Sequence, residues 1–127
     1  MEQIKTLFVL FIGGGLGTVL RYALSKLLNP LSEHFYWGTF SVNIIGSLVL
    51  GIVIGFSYKN PILYSNTFYP FLAIGLCGGF TTFSTFALEN QSLLKSGHFL
   101  EFGLYIASSL VMSILAIGLG LWMSKFA

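Results

Sequence analysis

The chain has 127 residues, of which 55% are hydrophobic and only 8% charged, with a mean hydropathy of +0.86 and no aspartate. Six basic and four acidic side chains are too few to clothe a water-soluble domain of this length, whereas a chain solvated by lipid needs charge only at its ends and loops. The net charge of +2 comes from scattered residues, with no basic run of the kind that binds nucleic acid.

Four apolar stretches follow in order, roughly from Ile4 to Leu20 or a little beyond, Phe35 to Tyr58, Phe68 to Leu88, and Phe102 to Met123. With their flanks they predict spans over 4–28, 35–58, 68–94 and 99–124 of a single four-helix membrane domain, 1–127. Each stretch reaches the ~20 residues that a spanning helix needs, and helices are required because isolated strands would leave backbone groups unpaired in lipid. Asn29-Pro30, Lys59-Asn60-Pro61 and Lys95-Ser96-Gly97 mark the connections. The first stretch reads as a span rather than a secretory signal, because Arg21-Tyr22 follows it in place of a small-residue cleavage site.

With four spans, Lys5, Lys59 and Lys125 fall on one side and Arg21, Lys26 and Lys95 on the other. This even tally sets no preferred orientation. It is compatible with insertion both ways and an antiparallel homodimer, or with a merely weak bias.

In the first span, Gly13, Gly14, Gly15 and Gly17 crowd together. They do not form a dinucleotide-binding loop, since no strand precedes them and Thr18 stands where a third glycine should be. Gly13 and Gly17, one turn apart, instead suit close helix approach. The second span carries Asn43, Ser47, Gly51 and Gly55 at intervals of four, a single stripe. An amide at that depth must find partners, either on a neighbouring helix or in a passing anion.

The third span contains Gly75-Leu76-Cys77-Gly78-Gly79-Phe80-Thr81-Thr82-Phe83-Ser84-Thr85-Phe86. Paired glycines followed by β-branched threonines disfavour continuous helix, so a break near the membrane centre is predicted. Such a break is tolerated where it is buried or lines a hydrated cavity, and its freed carbonyls and half-helix ends can meet ions. Phe83 and Phe86 are three residues apart; they are either lipid-facing packing or rings whose electropositive edges can receive a small anion. Ser84 and Thr85 add hydroxyls. In the fourth span Tyr105, Ser109 and Ser113, spaced by four, line one face, though each hydroxyl can equally bond back to its own helix.

These motifs, Gly13-Gly14-x-x-Gly17-x-x-x-Arg21-Tyr22, Gly38-Thr39-Phe40-x-Val42-Asn43-x-x-Gly46 and the Gly75–Phe86 string, resemble the successive signatures of the Fluc/CrcB fluoride channel family across the whole chain. The resemblance implies an all-α membrane protein whose third helix is broken, assembled as a dual-topology antiparallel homodimer in the plasma or inner membrane. It implies two fluoride pores and a structural Na+ at the dimer centre. Phe83 and Phe86 would line each pore, Asn43 would be the amide donor to fluoride, and Ser84, Thr85, Tyr105, Ser109 and Ser113 would form a polar track. Gly78 and Thr81 would offer carbonyls to sodium, Arg21 would sit at a vestibule, and Glu89 would occupy an acidic position near the other end of the pore. Export would be passive, with the negative cell interior driving the anion outward.

A small proton-coupled cation or multidrug antiporter shares this size, but needs a carboxylate within the membrane, and every Glu falls outside the central thirds of the predicted spans. An enzyme is disfavoured, because His34 and His98 lie in loops and Cys77 has no nearby histidine in sequence. A structural membrane adaptor would leave the polar stripes without a purpose.

Overall fold

The computed structural model describes residues 1–126. Helix α1 runs Glu2–Leu28 and tightens into a 3-10 turn at Asn29–Leu31; α2 spans Trp37–Ser57. A π-helical segment, Pro70–Leu76, leads into the single turn α3, Cys77–Phe80; after a break come α4, Ser84–Lys95, and α5, Phe99–Ser124. Four units are long and apolar enough to cross a bilayer: Glu2–Leu31, Trp37–Ser57, Pro70–Lys95 and Phe99–Ser124. Among the described residues there is no strand.

The units pack as two intimate pairs, α1 against the third unit and α2 against α5. Both contacts depend on missing side chains. A Cβ at Gly17 would overlap the Leu76 carbonyl, and one at Gly79 would overlap the Gly14 carbonyl, so α1 and α3 touch backbone to backbone. In the other pair a Cβ at Gly51 would strike the Ile117 carbonyl, and one at Gly120 would lie 2.5 Å from the Leu48 carbonyl. Small residues give apolar helices this closeness where lipid supplies no hydrophobic drive.

The connections satisfy the helix ends. The Asn29 side-chain carbonyl accepts from the Gly38 N–H at 2.8 Å and the Thr39 N–H at 3.4 Å, capping the start of α2. At the end of α4, Gly97 takes φ +79°, where a residue with a Cβ is strained. That turn lets the His98 N–H reach the Leu93 carbonyl at 2.9 Å and close a Schellman-type cap. The Lys59 ammonium, from the second connection, donates to the Ser124 carbonyl at 2.6 Å, a cation on the negative end of α5.

Candidate functional site

The predicted break is present at Thr81–Phe83, close to the middle of the Pro70–Lys95 unit. Thr81 leaves the helix with φ −85° and ψ 160°, and two side chains hold the backbone there. The Asn43 amide N–H₂ donates to the Thr82 carbonyl at 3.0 Å, while its oxygen accepts from the Thr82 N–H at 2.8 Å. The amide thus replaces the helical ladder at one residue. The Thr82 hydroxyl accepts from the Thr85 N–H at 3.3 Å, starting α4.

This arrangement leaves several carbonyls at the break without a helical partner, among them those of Gly78 and Thr81. In an unbroken helix the Thr82 N–H would serve Gly78 and the Thr85 N–H would serve Thr81; both are turned to side chains instead. Among the described residues no other donor reaches those carbonyls, and space beside Gly78 is open. The Gly78 and Thr81 oxygens therefore have the chemistry of a hard-cation ligand pair.

An open groove of about 410 Å³ runs beside the break. Asn43, Gly78, Thr81, Phe83, Phe86, Ser109 and Ser113 line it, so seven of the sequence-predicted residues meet there. Phe86 is buried, whereas Phe83 is 75% exposed, and their ring centroids lie 6.0 Å apart. The Ser109 hydroxyl is buried and has no partner within the described protein. An unpaired buried donor is costly, and Ser109 is among the residues that line the groove.

The remaining predicted residues sit elsewhere. Ser84 is exposed and Thr85 half-buried, and neither lines the groove. Tyr105 lies one turn along α5 from Ser109, wholly buried, its ring 5.0 Å from that of Phe86. Its hydroxyl donates to Glu89 at 2.7 Å, and the Thr39 hydroxyl donates to the other carboxylate oxygen at 2.7 Å. Glu89, only 7% exposed, is thereby the hub joining α2, α4 and α5. Beside it, burial and secondarily the Glu89 charge raise the Tyr36 phenol above its ordinary pKa. Arg21 lies about two turns before the end of α1. Its Nε donates to the Gly79 carbonyl at 3.0 Å, against the break.

Thr39 stands in one of the sequence motifs and Asn29 in the first connection, but neither was given a role. Their positions, 50 and nine residues from their respective partners Glu89 and Gly38, carry no periodic signal. The capping preference of Asn was the one available hint for Asn29.

Four apolar units, one interrupted around a groove with polar and aromatic walls, define a multi-pass membrane protein of the class that builds a path at a discontinuous helix. The family model described as CrcB-like protein, Camphor Resistance (CrcB), matches residues 8–121, and the chain belongs to that family. A relative from Phocaeicola vulgatus, named fluoride-specific ion channel FluC, is 46% identical over 122 residues, covering 95% of this chain and 99% of its own. Proteins of the same name from Bacteroides fragilis and Serratia proteamaculans are 44% and 41% identical, covering 89% and 96% of this chain and 91% and 98% of their own lengths.

Proposed function

We propose that the protein is a fluoride-selective channel through which the anion leaves the cytoplasm passively, across the plasma or inner membrane. The observation that carries this reading is the groove wall: an aromatic pair, an amide with a further N–H to give, and a buried unpaired hydroxyl, with no carboxylate lining it. Fluoride holds its hydration shell tightly, so a selective path must replace water with closely set donors. Asn43 keeps one N–H after pairing with Thr82. Ser109 has its hydroxyl to offer, and Ser113 lies one turn further along. Phe83 and Phe86 supply ring edges, which attract without the slow release that a fixed cation would impose. The relatives' printed names point to the same ion.

In this reading two copies assemble antiparallel, and each groove is completed by the other subunit. The 75% exposure of Phe83 supports a second surface closing over it, as does the even distribution of basic residues on the two sides. The Gly78 and Thr81 carbonyls, without donors of their own, would hold the sodium ion at the two-fold axis. Bound there, the cation would neutralise the carbonyl ends and tie the two breaks together.

A proton-coupled antiporter needs a titratable carboxylate on the path. Glu89 is the buried carboxylate among the described residues, but both its oxygens are engaged by Thr39 and Tyr105 and it does not line the groove. The test is ion release from liposomes carrying the purified protein, with a potassium ionophore balancing charge. Release of fluoride but not chloride supports the proposal; release of neither, or of both equally, refutes it.

A further inference from the structure

Gly13, Gly17 and Arg21 follow at intervals of four on α1 and therefore share one face. That face meets the third unit: a Cβ at Gly17 would lie 2.7 Å from Phe80 N and 3.1 Å from the Gly79 carbonyl carbon. One turn further on, the Arg21 Nε–H reaches the Gly79 carbonyl at 3.0 Å. This carbonyl is one of the last in α3, and the amide that would serve it in a continuous helix belongs to Phe83, the last residue of the break. A cationic donor on the carbonyl end of a helix is favourable both as a hydrogen bond and against the dipole.

We infer that Arg21 is a positioning residue for the break, acting through the Gly79 carbonyl rather than as a free charge that draws anions toward the path. Arg21 fixes the chain at Gly79, in the last turn before the three-residue passage, and Asn43 fixes it at Thr82, in the middle of that passage, so two neighbouring helices hold the backbone between the half-helices. What they hold in common is the point where α4 begins, and with it Phe83 and Phe86.

Three substitutions separate the clamp from electrostatic attraction. In Arg21→Gln the side-chain nitrogen stands the same number of bonds from Cα as the arginine Nε, so the donor is kept and the charge is lost. In Arg21→Lys the charge is kept and the donor moves one bond further out. Arg21→Met retains length with neither property. This inference rests on the channel reading for its readout, fluoride efflux from liposomes, with each variant first shown to assemble like the wild type.

The clamp predicts that Gln stays within about twofold of wild type, Lys falls between, and Met loses about tenfold. It also predicts that Gln retains the ionic-strength dependence of the wild type. Steering by charge would give the crossed order, with Lys like wild type, Gln like Met, and wild-type flux falling as salt rises; that result overturns the inference. So does equal flux in all four proteins, or equal loss in all three variants. If Met fails to assemble, the Gln and Lys pair still decides. A wild type that releases no fluoride would refute the channel reading instead, and amide hydrogen exchange at Thr81–Phe83 would then decide the clamp: protection preserved in Gln and lost in Met supports it, and the reverse overturns it.

Discussion

The α2–α5 crossing and the broken third unit use glycine in the same way and come out differently. At the crossing, Gly51 and Gly120 bring two continuous helices into backbone contact, and the backbone on both sides stays helical. Around the break, Gly17 and Gly79 achieve the same closeness between α1 and α3, but the backbone beyond is unwound and held by the Asn43 amide and the Arg21 guanidinium. Close packing alone makes a scaffold. Close packing around unwound backbone creates carbonyls and donors that seek ligands in a medium that offers none.

The crossing should therefore fail structurally, and the break functionally. The largest effect is expected for Gly120→Val, whose side chain would enter the Leu48 carbonyl and the Ile52 backbone. A loss of about 3 kcal/mol is expected, measured as a lowered unfolding midpoint and a poorly assembled product. Asn43→Ala removes both bonds to Thr82 and should cost about 2 kcal/mol, with fluoride flux reduced at least about tenfold in protein that still assembles. If Asn43→Ala instead resembles Gly120→Val, the distinction between scaffold and working region collapses.

Smaller effects sharpen the boundary between the two regions. Glu89→Gln preserves volume, but an amide oxygen and nitrogen cannot accept from both Thr39 and Tyr105 as the carboxylate does. About 1 to 2 kcal/mol should be lost, detectable by chemical denaturation, and Tyr105→Phe should cost less. Ser109→Ala removes a buried hydroxyl that has no partner, so stability should stay within about 0.5 kcal/mol while flux falls. An unfolding midpoint lowered as far as by Glu89→Gln would mean that Ser109 belongs to the scaffold.

Much of this division was legible in the sequence. The four spans follow from apolar length. The break follows from Gly78-Gly79 before Thr81-Thr82, and the close approach of α1 follows from Gly13 and Gly17. These signals are local, set by propensity or by helical spacing. The Thr39–Glu89–Tyr105 hub was not legible, because its members lie on three helices and no spacing relates them. The π-helical turn over Pro70–Leu76 was hidden within an apolar run whose length satisfies a bilayer in either helical form. Asn43 was read as a choice between bonding a neighbouring helix and meeting an anion. The structure gives two of its polar contacts to Thr82 and turns it toward the groove as well, so the first role is built in and the second stays open to it. The bond from Arg21 to the Gly79 carbonyl was not legible either, because its partner lies 58 residues away on another unit.

The central claim is that fluoride passes along the groove beside the break. It is tested most directly by measuring fluoride efflux from liposomes carrying wild type, Phe83→Ala or Phe86→Ala, each matched for amount and for assembly by size-exclusion chromatography. The account predicts that both variants remain assembled and release fluoride at least about tenfold more slowly than the wild type. Wild-type rates from well-assembled variants would contradict it and move the path away from this groove.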